Sequence, residues 1–223
     1  MKVNLKVLGL ALVAVMAMSG LAAAAAQAES PTLVLTASTG TVKGGSNDNV
    51  LTVQGGSTKC VENGGVKGSR YEATVTSEKS TEVTVKAAFG NGTKGCTAFG
   101  VASTVNMKSC HQVWKMVKAS NPATATVDIV CTTAGDAITI TASSLPCTIT
   151  IAPQSGLQHI VLKKSGESEP TDVTVEFTTE KTKYTMTGVG CAKAGTFEEG
   201  KITGTLTLEG FNTAGTKVGL HVI

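Results

Sequence analysis

The sequence predicts an all-β protein of antiparallel strands stapled by disulfides. Three observations carry this. Beyond an apolar N-terminal segment, no stretch repeats its apolar residues at helical spacing over a useful length. Several runs instead alternate apolar and polar residues, the period at which successive side chains of a strand point to opposite faces. All six cysteines, Cys60, Cys96, Cys110, Cys131, Cys147 and Cys191, fall after that segment, an even number in the exported part. Short strands with one-sided apolar faces need a second sheet to cover them, so the expected architecture is an antiparallel β-sandwich. It is expected either as one continuous β domain over 29–223 or as two sandwich-like lobes in series, 29–109 and 110–223.

Residues 1–28, MKVNLKVLGLALVAVMAMSGLAAAAAQA, carry Lys2 and Lys6 and no acid, then an uncharged run, then small residues ending Ala26-Gln27-Ala28. This is the pattern of a secretory signal peptide cut after Ala28. Its alanine-rich tail is poorly apolar for a stable membrane span, and no cysteine near the cut offers a lipid anchor. The remaining 195 residues (223 − 28) carry 17 basic side chains, Lys2 and Lys6 having left, against 16 acidic ones, a net +1. Nucleic acid, which demands a basic face, is therefore not an expected partner. Arg70 is the only arginine, and arginine is what bidentate phosphate recognition prefers. Export to an oxidising compartment makes disulfides the default, and no two cysteines stand at the close spacing a zinc site wants.

The elements follow from pairing. Strands are expected at 33–37 and 50–53. In YEATVTSEKSTEVTVKAAF, a hairpin register brings Tyr71 to Ala87, Ala73 to Val85 and Val75 to Val83, one apolar side throughout. A strand is expected over 98–107. SCHQVWKM then sets Cys110 beside His111, four residues before the only tryptophan. If Cys110 lies opposite Cys131, the hairpin axis falls in Ala-Ser-Asn-Pro, which is turn chemistry closed by a proline. Gln112 then faces Ile129, Trp114 faces Val127 and Met116 faces Ala125. Cys110, Trp114, Met116, Val127, Ile129 and Cys131 share the core face; His111, Lys115, Thr126 and Asp128 share the other. A slip of one residue would scramble the apolar set, so the register supports a Cys110–Cys131 disulfide. It also points Cys110 and His111 apart, against a catalytic dyad.

In AITITASSLPCTITIA the axis beside Leu145 pairs Ile138 with Ile151, Ile140 with Ile149 and Ala142 with Cys147, leaving Thr139, Thr141, Thr148 and Thr150 outside. A strand is expected at 159–163. DVTVEFTTEKTKYTM is read as a fourth hairpin pairing Phe177 with Tyr184 and Val175 with Met186, and further strands at 202–208 and 217–222 close the chain. A cysteine, a hairpin and a second cysteine after a glycine turn recur from Cys60 to Cys96 and from Cys147 to Cys191, which favours those two bridges among the possible connectivities.

A search for chemistry finds little. No G-x-S-x-G elbow occurs. His111, His159 and His221 each lie in an expected strand without metal spacing. Glu198 and Glu199, the adjacent acids that a glycoside hydrolase reading would recruit, precede Gly200 in what reads as a solvated turn. Ser46-Asn47-Asp48-Asn49 is rich in oxygen but lacks the alternating acids of a calcium loop. Aromatics are 4% of residues, and Tyr71, Trp114, Phe177 and Tyr184 are assigned to the core, which leaves few for a glycan-binding platform. The threonine faces read as ordinary β propensity, since a surface patterned for ice would need a solenoid repeat.

Four blocks, CTAFGVASTVNMKSC, VDIVC, CTITIAPQSGL and GKITGTLTLEGFNTAGTKVG, spread over nearly the whole exported part. In them the chain resembles a group of uncharacterised secreted all-β cysteine-containing proteins of soil actinobacteria. The resemblance implies export and a compact disulfide-bearing fold, and implies no mechanism. The expectation is a secreted, non-enzymatic interaction or structural module with an unknown extracellular or cell-wall partner, no cofactor, no metal and no membrane span in the mature chain. The alternatives are a carbohydrate-active or other hydrolytic enzyme with a site gathered from scattered residues, and a small-ligand binder at a lobe junction. N-terminal sequencing of the exported protein is expected to begin at Glu29.

Overall fold

Register organises this protein, and the hairpin around the only tryptophan shows how. The structure, a computed structural model, describes residues 32–37, 39–46, 48–61, 68–75, 79–90, 95–118, 122–164 and 172–222. The expected signal peptide, 1–28, and most of the expected Ala-Ser-Asn-Pro turn, 119–121, lie outside the described residues. Cys110 pairs with Cys131, Gln112 with Ile129, Trp114 with Val127 and Met116 with Ala125, the register argued from the sequence. Trp114 is 2% exposed, and its indole Nε1 donates to Gln112 Oε1 at 2.9 Å. The ring is thus buried with its one polar atom satisfied.

Among the described residues, eighteen strands run in chain order. The first nine are β1 (Leu33–Leu35), β2 (Gly40–Ser46), β3 (Asn49–Val53), β4 (Gly56–Cys60), β5 (Ser69–Val75), β6 (Lys79–Ser80), β7 (Glu82–Phe89), β8 (Cys96–Ala98) and β9 (Val101–Asn106). The others are β10 (Cys110–Lys118), β11 (Ala123–Cys131), β12 (Ile138–Ala142), β13 (Thr148–Ile151), β14 (Gln154–Lys164), β15 (Asp172–Thr187), β16 (Gly195–Asn212), β17 (Lys217–Val218) and β18 (Leu220–Val222). Every pairing is antiparallel, and the described residues contain no helix, so the all-β antiparallel class stands.

The sheet closes on itself twice. One hydrogen-bonded path of eight strands runs β16-β2-β5-β7-β10-β11-β14-β15 and returns to β16. A second runs β15-β13-β12-β9-β8-β4-β3-β16 and returns to β15. Strands β15 and β16 belong to both. The upper part of β15, Val173 to Phe177, pairs with β14, while Thr185 to Thr187 pairs with β13. Likewise β16 meets β2 through Thr207 to Asn212 and β3 through Lys201 to Thr203. A separate three-stranded sheet, β18-β1-β6, adds Leu33, Leu35, Leu220 and Val222 to a core shared by both rings. Strands from 29–109 and 110–223 therefore interleave.

Three differences from the sequence reading have physical causes. The expected hairpin over 172–186 is one strand of 16 residues, β15. Its burial alternates on odd positions through Thr179, then on even positions from Thr182. Lys181, in the left-handed region at φ 61°, is the irregularity that changes the parity. A bulge and a two-residue turn shift parity alike, and the apolar pattern alone does not separate them. The expected single strand over 98–107 is two, β8 and β9. Phe99 (φ 53°) and Gly100 (φ 82°) turn the chain between Ala98 and Val101, which pair; positive φ at both central residues is the type I′ hairpin turn. Strands β2 and β4 were not among the expected elements, since GTVKGGS and GSTKC hold too few apolar residues to show alternation. At Gly44 a Cβ would run into the Leu206 and Leu208 side chains of β16, so the glycine is what lets β2 pack there.

The six cysteines form Cys60–Cys96, Cys110–Cys131 and Cys147–Cys191 bridges, with Cα separations of 4.1, 3.9 and 4.9 Å. The first two join residues directly opposite each other on paired strands. Ile138 pairs with Ile151 and Ile140 with Ile149, and the threonines take the outer face. There Thr104, Thr141, Thr148 and Thr187 align across four strands. Thr139, Thr150, Thr185 and Thr196 form the next row. Cross-strand threonine pairs stabilise a sheet modestly. Outside, cross-strand pairs such as Lys43–Glu72 at 3.8 Å and Lys163–Glu176 at 2.6 Å balance charge, each worth little in water.

The bulge gives a test. Lysine tolerates the left-handed conformation poorly and glycine tolerates it freely. Lys181→Gly is expected to stabilise the fold by about 0.5–1 kcal/mol, and Lys181→Val to destabilise it by about 1–2 kcal/mol, in urea unfolding followed by Trp114 fluorescence.

Candidate ligand cavity

The residues singled out as possible chemistry are dispersed. Cys110 is disulfide-bonded, and His111, opposite Val130, sits half-buried on the other side of the strand. His159 lies on β14 and His221 on β18, opposite Val34. Glu198 and Glu199 are both exposed; Glu198 pairs with Lys183 at 2.9 Å, and Glu199 Oε2 accepts from the Glu198 N–H at 3.1 Å. The side-chain oxygens of Ser46 and Asp48 are engaged within the protein. Ser46 Oγ donates to Asp48 Oδ1 at 2.6 Å, and the same carboxylate oxygen accepts the Thr205 N–H at 2.8 Å. Asn49 turns inward. Among the described residues, no group of three or more His, Cys, Asp or Glu side chains stands close enough to hold a metal ion.

What the strands do bring together is an interior cavity of about 90 Å³. The first ring contributes Trp114, Ile129 and Ile160 to its wall, the second Leu51, Ile138 and Ile140. All six are buried, on the inward face that alternation assigns them. Phe177 and Thr179 of β15 and Ile202 of β16 complete the wall where the rings share strands.

The polar part of the wall is small and organised. Asn49 is 5% exposed, and its Nδ2 donates to Tyr71 Oη at 2.8 Å and to Ser69 Oγ, which in turn donates to the Ser46 carbonyl at 3.2 Å. Asn49 Oδ1 is buried without a hydrogen-bond partner in the protein, as is the hydroxyl of Thr58, which is 3% exposed. Both residues line the cavity. Asn49 pairs with Cys60 and Leu51 with Thr58, so the two stand on one face of the β3–β4 hairpin, diagonal to each other. Residue 204 has to be glycine here, since a Cβ would overlap Asn49 Oδ1 and the Phe177 ring. Among the described residues, Tyr71 is the ionisable side chain of the wall, and burial pushes its phenol far above the usual range. It keeps its proton.

The opposite side of one cavity wall is held by charge. Strand β14 bulges against β11, so that Val127 pairs with Leu157 and Ile129 with Gln154, and Gly156 takes φ 71°. Asp128, on the outer face of β11, accepts the Gly156 N–H at 2.7 Å and meets Lys115 Nζ at 2.8 Å. The hydrogen bond from Lys115 and then the Gly156 N–H hold the Asp128 carboxyl below its usual range. The bulge that sets Leu157 into the wall is thereby anchored from outside. Asp128 was expected on the outer face and is there, yet it is 8% exposed rather than solvated.

Sequence reasoning weighed Asn49 only as one oxygen of a calcium loop and missed Thr58. A signal existed for each. Thr58 stands two residues before Cys60, on the same face of the strand as a half-cystine; Asn49 shares the parity of Leu51 and Val53. No family model matches the chain, and neither a curated protein nor a solved structure matches it.

Two outcomes are expected. Removing the Asp128 carboxylate orphans the Gly156 N–H, so Asp128→Ala should cost about 1–3 kcal/mol, and Asp128→Asn, which can still accept, should cost less. A depressed folded-state pKa contributes stability that is present above the unfolded value of about 3.9 and is lost as pH falls through the folded value. Urea midpoints measured from pH 6 down to pH 2 should therefore fall less steeply for Asp128→Asn than for the wild type. Separately, Trp114→Ala should cost about 3–5 kcal/mol, as deleting a core aromatic does, whereas His111→Ala should stay within about 0.5 kcal/mol of wild type by urea unfolding followed by circular dichroism.

Proposed function

We propose that this protein is exported to the extracellular space or cell envelope and binds a small apolar molecule in its interior cavity without transforming it. The observation that carries the reading is the cavity itself: about 90 Å³, walled mainly by buried aliphatic and aromatic side chains contributed by both rings. Pockets of this composition favour apolar ligands and use a few polar groups to orient them. A dry apolar cavity of about 150 Å³ takes up benzene or xenon, so a smaller one suits a body of a few carbon atoms.

Binding without turnover is supported by the chemistry of the wall. Its ionisable side chain is a phenol that holds its proton, and its sulfur, that of Cys60, is in a disulfide. Neither serves as base or nucleophile. Export is supported by the signal-peptide pattern of residues 1–28 and by three disulfides, which belong to an oxidising compartment. An envelope partner that receives or supplies the ligand fits the same location.

Trp114, the only tryptophan, lines the cavity and reports on it. Xenon, a heavy-atom quencher, is expected to quench its fluorescence in a saturable manner, and Val127→Leu, which adds one methylene to the wall, is expected to weaken that quenching. Quenching that rises linearly with xenon pressure and ignores Val127→Leu would refute the reading.

A further inference from the structure

We propose that the molecule taken into the cavity is a small neutral aliphatic alcohol, bound through its hydroxyl by Asn49 and Thr58, with a carbon body of about four atoms. This rests on the reading of the cavity as a binding site and narrows what the site accepts.

The argument begins with two atoms. Asn49 Oδ1 and Thr58 Oγ1 are each buried in residues more than nine-tenths inaccessible, both line the cavity, and neither has a hydrogen-bond partner in the protein. Buried polar atoms in folded proteins are almost always paired, and an unpaired one is a standing penalty. With Nδ2 donating to Ser69 and Tyr71, Oδ1 is the amide atom left without a partner. The pair therefore presents one fixed acceptor, the amide oxygen, beside a threonine hydroxyl that both donates and accepts.

The chemistry of that pair selects a head group. A ligand hydroxyl donates to Asn49 Oδ1 and accepts from the Thr58 hydroxyl, satisfying both at once. A ketone or ester accepts from Thr58 and gives Asn49 nothing. A carboxylate would set its charge against the amide oxygen, with no lysine or arginine in the wall to offset burial. An ammonium group would find no carboxylate there. Asn49 and Thr58 are diagonal neighbours on one hairpin face, so their polar atoms belong to the same part of the wall. A water molecule bridging the same atoms would be displaced by such a hydroxyl, which reproduces its hydrogen bonds.

The test uses three molecules of one shape, 2-butanol, 2-butanone and 2-methylbutane, titrated into the mature protein with Trp114 fluorescence as the readout. Water solvates the alcohol more strongly than the hydrocarbon, so the informative quantity is how a variant changes the ratio of affinities. Thr58→Val, which preserves shape and removes the hydroxyl, is expected to weaken 2-butanol about tenfold and to leave 2-methylbutane unchanged. Thr58→Ser is expected to retain the wild-type ratio. In the wild type, 2-butanol is expected to bind more tightly than 2-butanone. If Thr58→Val shifts 2-butanol and 2-methylbutane equally, or if 2-butanone binds as tightly as 2-butanol, the hydroxyl assignment is overturned while the cavity reading stands. If none of the three saturates in the wild type, the cavity reading itself fails. Circular dichroism of each variant separates a lost site from a lost fold.

Discussion

The pairing of β15 with β16 is the contact on which both rings depend. Both strands are long, 16 and 18 residues, and their ladder runs from Asp172 opposite Glu209 to Met186 opposite Gly195. Each end of that ladder joins a different set of neighbours. A shorter pair could close one ring and would leave the other as an open sheet with an exposed core. The bulge at Lys181 belongs to this arrangement: it keeps Val173, Val175 and Phe177 on the same side as Thr182, Tyr184 and Met186, so one ribbon presents a continuous apolar face to both rings. Tyr184 extends the link further, its hydroxyl accepting the Gln54 N–H at 2.6 Å from the β3–β4 turn.

Closure also explains where the cavity lies. Side chains of one sheet can interdigitate with those of another to native density, but two closed curves that share a ribbon meet over a concave seam. Leucine and isoleucine from each side fill most of it, and Phe177 and Ile202 reach in from the shared strands. The polar cluster of Asn49, Ser69 and Tyr71 spans from the second ring to the first, so the same side chains that join the rings also edge the site.

Much of this was legible before any coordinates. The registers of Cys110 with Cys131 and of Ile138 with Ile151 follow from symmetry of apolar residues about a turn, because a one-residue slip reverses every side chain. The same argument misread β15, where a bulge imitates a turn. It had nothing to offer for β2, where Gly44 makes room for the Thr207 carbonyl and the leucines of β16, and it could not foresee ring closure. Thr207 meeting Gly45 or Lys201 meeting Thr52 brings together residues far apart in the chain, and no local pattern encodes such a partner. Asn49 and Thr58 were hidden for a different reason. Both lie in polar stretches, and only their parity relative to buried neighbours distinguishes them from surface residues.

A chain this rich in β-forming segments runs a particular risk. Stretches such as ITITA on β12 and TITI on β13 carry no charge and no proline, the composition that stacks readily into cross-β fibrils when a strand edge is left open. Here those strands have neighbours on both sides. Among the described residues, the strands with a single neighbour are β6, β17 and β18, of 2, 2 and 3 residues. An edge that short gives an incoming chain too few hydrogen bonds to hold it. Ring closure thus denies aggregation a template, and it does so with geometry alone.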